Sequence, residues 1–167
     1  MNAPKNWKGK KRPDLDDITG LFANVELGAY ITGHLIIESV LVQLIELKLT
    51  KDDKFNPFDL SFPNKVEVAK NRNLIDESMA SFLLEMNRIR NRLAHRLGEK
   101  ITFDMMFNLA RCAADGGVDF SDDSIYSNKE LSRECYGTKA IIQEIFQNAA
   151  QDLSFIMENH GGKFQFA

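Results

Sequence analysis

Arg88, Ile89, Arg90, Asn91, Arg92, Leu93, Ala94 and His95 follow one another near the middle of the chain, at the end of a strongly helical stretch. They gather three arginines, an amide and a histidine. Arginine grips phosphate through its forked donors, and histidine moves a proton near neutral pH. Cleavage of RNA through its own 2′-hydroxyl needs such a set. One group removes the hydroxyl proton, another protonates the leaving 5′-oxygen, and cations hold the added phosphate charge. His95 suits either proton transfer, Arg90 the phosphate, and Asn91 the orientation of the substrate. Arg88, Arg92 and Arg96 are expected to be further cations for such a phosphate-bearing strand. No metal or organic cofactor is expected for this chemistry.

Helical geometry sorts these residues. At 100° per residue, Arg90 lies about 40° from Met86, at the edge of an apolar stripe, while His95 lies about 180° away. Asn87 and Asn91 flank the space between. Arg90 is therefore expected to turn partly inward, and a buried guanidinium needs a partner. Glu38, the one acid in the centre of the inner helix, is the candidate. The pair would either hold Arg90 for chemistry or serve as a structural ion pair. His95 is expected to face out, and the plain alternative for it is a solvated surface histidine. His34, four residues before Glu38, reads as a core histidine bonded to its neighbour.

The pattern Arg-Asn-x-x-x-His, carried by Arg90, Asn91 and His95, resembles the signature of the HEPN superfamily, helical domains of which many are metal-independent ribonucleases. Gly33-His34-Leu35-Ile36-Ile37-Glu38 looks like the long second helix of the same family, which often carries a polar residue facing the motif. The likeness would run over about residues 14 to 158, set by the motif's place after one apolar helix and before another. It implies an endoribonuclease of the toxin–antitoxin or phage-defence kind, acting on RNA, with an antitoxin protein as a possible partner. It also implies a homodimer whose two-fold brings both copies of His95 and Asn91 to a shared cleft, since one histidine does not easily make both proton transfers. A second implied reading is a non-catalytic dimeric domain, repressor- or adaptor-like. A third is small-nucleotide binding in the same cleft.

The 167 residues suffice for one domain with a real core, and the 44% hydrophobic and 27% charged fractions are those of an ordinary globular protein. The formal charge of −3 is unevenly placed, because Lys5, Lys8, Lys10, Lys11 and Arg12 precede any acid. Without those five cations, 16 basic residues face 24 acidic ones, a formal −8. Such a body argues against tight non-specific coating of nucleic acid, though not against a local cationic cleft. Cys112 and Cys135 form no Cys-x-x-Cys pair, and His34, His95 and His160 have no metal-ligand spacing. A reducing, cytoplasmic setting is expected. No signal peptide is read, and the 11-residue apolar stretch Leu27–Ile37 falls short of the ~20 residues that span a bilayer.

Residues 1–13 read as a basic flexible tail with Trp7 as its only anchor, 14–158 as a single helical domain and 159–167 as a C-terminal tail. A first helix is predicted at about 15–24 and a second at about 25–49. The second carries Leu27, Ile31, His34, Glu38, Leu41 and Ile45 on one stripe and Tyr30, Leu35, Ile37, Val40 and Leu44 elsewhere, so it reads as a central helix. Phe55, Phe58, Leu60 and Phe62 should pin the loop that follows. A short helix comes at about 64–72. The motif helix, about 76–96, buries Met79, Phe82, Met86, Ile89, Leu93 and Leu97, and Gly98 can stop it. Thr102 caps the next helix, and a Gly- and Asp-rich loop covers 114–128. Ser127-x-x-Glu130 reads as a capping box opening one last helix with Leu131, Cys135, Thr138, Ile142, Ile145, Ala149, Leu153 and Ile156 on its stripe. The expected fold is all-α, an up-down bundle of four long helices plus short ones.

Overall fold

The computed structural model describes residues 14–96 and 98–166; the basic segment 1–13 with Trp7, Leu97 and Ala167 lie outside the described residues. The described chain is helical, with no strand. Helix α1 covers Leu15–Phe22, α2 Val25–Glu46, α3 Phe62–Asn71 and α4 Glu77–His95. Then come α5 at Phe103–Asp115, α6 at Ser124–Ser127, α7 at Lys129–Cys135 and α8 at Gly137–Asn159, with a 3₁₀ turn at Pro57–Asp59.

Helix α2 packs on three sides. Tyr30 donates its O–H to the Met86 carbonyl at 2.8 Å, which ties α2 to α4. Gly33 admits the Phe146 ring of α8, at a spot where a Cβ would lie 2.3 Å from a ring carbon. The missing side chain lets the two helices close. Phe62 of α3 lies on His34, with ring centroids 4.6 Å apart. The fourth side of α2 is open. Leu35 is exposed there, so α2 is not enclosed all round as its apolar composition suggested.

Interhelix contacts fix the directions. Phe62 meets His34, Lys65 meets Glu38, and Arg72 donates to the Lys48 carbonyl and to Asp53, so α3 runs parallel to α2. Helix α4 starts from that lower end and climbs back. Helix α5 descends, since Gly116 just past its end sits against the Ser78 carbonyl and Phe82 near the start of α4. Lys129 and Arg133 of α7 pair with Asp104 in the first turn of α5, so the chain climbs again. Helix α8 then descends beside α2, with Tyr30 against Phe146 near the top and Gly162 against Leu47 at the bottom. The four long helices α2, α4, α5 and α8 therefore do not simply alternate. Helices α5 and α8 run the same way, because short helices in 116–136 return the chain between them.

Local chemistry accounts for two further departures from expectation. The final helix is two helices, broken at Gly137, whose φ of +59° favours glycine. Leu131 and Cys135 are accordingly exposed. The start of α7 is capped by Asn128, whose Oδ1 accepts from the Leu131 N–H at 3.1 Å, while Ser127 belongs to the end of α6. Phe55 and Phe62 do anchor their loop, but Phe58 is exposed. The C-terminal tail is fastened. Gln43 on α2 donates to the Gln165 carbonyl at 2.7 Å and accepts from its N–H at 3.1 Å, and Phe164 packs on the core. By length and apolarity alone, Leu15–Glu46 could cross a membrane, a test that buried core helices also pass.

Candidate functional site at the end of α4

Asp76 opens α4 by accepting the Met79 N–H at 2.8 Å. Met79, Phe82, Met86, Ile89 and Leu93 then fill the core side. The opposite side is a stripe of exposed residues, Ser81, Leu84, Arg88, Asn91 and His95, spaced three and four apart. Asn91 and His95 thus lie one turn apart on the outside of the bundle. The helix ends at His95; Arg96 is extended, and Gly98 at φ +85° turns the chain away.

The arginines divide into two kinds. Arg88 holds both Glu85 oxygens, at 2.7 and 2.6 Å. Arg92 reaches Glu99 at 2.6 Å and the Met105 sulfur at 3.6 Å, and its Nε is buried without a hydrogen-bond partner among the described residues. These two forks, expected to face RNA, are occupied by the chain itself. Arg90 and Arg96 have no carboxylate partner among the described residues. Arg90 is half-buried, and its Nη1 donates to Asn91 Oδ1 at 3.2 Å. That bond draws the guanidinium round the helix toward the stripe that carries His95.

Glu38 does not hold Arg90. Its Oε1 accepts from Lys65 Nζ at 2.7 Å, and the same ammonium donates to the carbonyls of Leu60 at 2.6 Å and Phe58 at 3.2 Å. Lys65 is buried, so its charge has the stronger need of a counter-charge. Its signal was present in the sequence. Lys65 stands among Phe62, Val66 and Ala69, on the apolar stripe of a short helix, where a lysine has to find a partner indoors.

Asn87 and His34 form the seam between α4 and α2. Both are buried, and His34 Nε2 lies 3.2 Å from Asn87 Oδ1, donating to it as the Nε2–H tautomer. Its Nδ1 stands 4.0 Å from Glu38 Oε2. Burial pushes the imidazole below its usual range; Asn87 and Glu38 oppose this, and Arg90 and Lys65 add to it. A neutral His34 therefore lies behind the motif, bonded to a different helix rather than to its own neighbour. Along the second half of α4, Asn87 is buried against α2, Arg90 is half-buried, Asn91 and His95 are exposed, and Glu38 lies one helix behind them.

The arrangement can bind an anion and move a proton. Asn91 and His95 are exposed one turn apart, and the half-buried Arg90, which has no carboxylate partner among the described residues, reaches Asn91. No group of three or more His, Cys, Asp or Glu residues set to hold a metal ion occurs among the described residues. No protein-family model matches the chain, and no curated protein or solved structure matches it significantly.

Proposed function

We propose that this chain is a HEPN-like, metal-independent endoribonuclease of the toxin or phage-defence kind, working as a homodimer in the cytoplasm, with an antitoxin protein as its regulatory partner. The observation that carries this reading is the Arg90 guanidinium. It has no carboxylate partner among the described residues, and it is drawn by Asn91 toward the exposed His95. A phosphate met there would take charge-assisted bonds from Arg90, with Arg96 as the second available cation. Asn91 would orient the ribose. His95 of one subunit would take the 2′-hydroxyl proton, and His95 of the second would deliver a proton to the leaving 5′-oxygen. The 2′-oxygen would then bond to phosphorus as the P–O5′ bond breaks, leaving a 2′,3′-cyclic phosphate and a 5′-hydroxyl.

The test is cleavage of single-stranded RNA by the purified chain in EDTA. Wild type should leave cyclic-phosphate ends. His95→Ala should lose at least the ~10²–10⁴-fold that a general acid or base supplies. Because His95 is exposed, its melting temperature should not move. Activity that survives His95→Ala, or that extends to DNA, would overturn the mechanism. If no RNA is cut, the acidic body and exposed apolar surface favour the second reading, a dimeric interaction domain.

A further inference from the structure

A cleft of about 620 Å³ opens between α2, the 3₁₀ turn, α3 and the C-terminal segment. Some of its polar atoms are already occupied. Lys65 Nζ has three N–H donors, and Glu38 Oε1 and the carbonyls of Leu60 and Phe58 accept from it at 2.7, 2.6 and 3.2 Å. Both ends of the Gln43 amide are bonded to the Gln165 backbone. Four side-chain groups of the lining have no hydrogen-bond partner among the described residues: Glu38 Oε2, the Ser39 hydroxyl, the Glu46 carboxylate and the Gln165 amide. His34 Nδ1 stands 4.0 Å from Glu38 Oε2 and, in the Nε2–H tautomer, has no proton to give it. Every open charge in the cleft is therefore negative.

We propose that this cleft binds a linear aliphatic polyamine, with one ammonium on Glu46, another on Glu38 Oε2 and the methylene chain between them. Three arguments select that ligand. The first is charge. The one cation of the lining, Lys65, has no donor left for an anion, whereas two carboxylates can still accept. Glu46 is also the last residue of α2, whose final turn holds no basic residue, so the negative end of the helix adds to its pull on a cation. The second is length. Glu38, Val42 and Glu46 follow at steps of four, which sets the two carboxylates ~12 Å apart along the axis. A single small amine does not reach both; an extended chain with an ammonium at each end does. The third is the apolar part of the lining. Val42 lies between the two acids, and Phe58 and Phe166, 73% and 82% exposed, offer ring faces to methylenes and to ammonium alike. The volume falls in the ~300–1,000 Å³ of small-molecule sites.

Arg90, Asn91 and His95 do not line the cleft. The site is separate from the motif, and its ligand does not depend on the RNA chemistry. Its far wall is set by the C-terminal segment, which the two Gln43 bonds hold against α2.

Isothermal titration calorimetry on the full chain, at low salt and without RNA, tests it. Spermidine and the eight-carbon terminal diamine should each bind once per chain with a submillimolar dissociation constant. The four-carbon terminal diamine has the same charge as the eight-carbon one but is too short to span the carboxylates. It should bind at least ten-fold more weakly. That comparison uses wild type alone, so it holds whether or not any variant folds. Glu46→Gln should weaken the eight-carbon diamine at least ten-fold, and Phe58→Ala several-fold, with circular dichroism unchanged, since both side chains are exposed. Glu130→Gln removes an exposed acid of α7 outside the cleft and should leave the affinity as it is. No binding at millimolar spermidine, equal affinity for the two diamines, or equal losses at Glu46→Gln and Glu130→Gln would each overturn the proposal. Cleavage assays read the RNA chemistry separately: a chain that binds the long diamine and cuts no RNA leaves this proposal standing, and one that cuts RNA but binds no diamine refutes it alone.

Discussion

Lys65 sits on a ten-residue helix with its ammonium held by Glu38 and two backbone carbonyls. Removing the carboxylate strands a buried charge, whereas removing both charges does not. Glu38→Ala should therefore cost about 2–3 kcal/mol, below the ~3–5 of a fully enclosed pair because Glu38 keeps some access to water. Glu38→Leu combined with Lys65→Met should lose less than Glu38→Ala alone, as read by urea denaturation; a double variant weaker than the single one would refute the account. His34 makes a second prediction. Its folded pKa is lowered, so in acid the unfolded chain binds the proton more readily than the folded one. The stability due to neutral His34 is complete above its unfolded value of ~6.5 and drains away as pH falls through that value toward the lower folded one. Between pH 7.5 and 5 the melting temperature of wild type should drop more than that of His34→Gln, and parallel curves would refute this. The outward His95 and half-inward Arg90 were legible from helical angles alone, because they depend on one helix. The partner of Glu38 was not, since Lys65 is 27 residues away and only the placement of α3 decides between it and Arg90.

At the level of elements, α2, α4 and α5 were legible because apolar periodicity and the cap at Thr102 are local signals. The break between α7 and α8 was hidden. Apolar residues continue in phase across it from Leu131 to Ile142, and a glycine within a helical pattern is often tolerated. What decides is the left-handed backbone at Gly137. An alanine there would carry a strained φ, at about 1–2 kcal/mol, or would draw α7 and α8 into one helix and pull Lys129 and Arg133 from Asp104. Either way Gly137→Ala should lower the melting temperature by several degrees, at ~2–4 °C per kcal/mol for a chain of this size. An unchanged melting temperature would show that the break is not set by Gly137. The capping box read at Ser127 failed for a similar reason. Two capping residues stand side by side, and the short helix α6 takes the first.

Across the whole molecule, an all-helical chain was legible from composition and period, but the order of directions was not. Nothing local says that 116–136 climbs back, so that α8 lies parallel to α2 and joins the two halves of the chain. That junction rests on Gly33, where an added methyl would lie 2.3 Å from the Phe146 ring. Gly33→Ala should force α2 and α8 apart at an overpacking cost of about 1–3 kcal/mol. A thermal melt within one degree of wild type would show that the seam yields freely. The consequence reaches into genetics. A lesion at Gly33 leaves Arg90, Asn91 and His95 as they are and weakens only the frame that carries them, so it is the natural starting point for a conditional allele. Cells carrying it would hold working protein when cool and lose it when warm. A shift of incubator temperature would then separate what the protein does by being present from what it does by reacting.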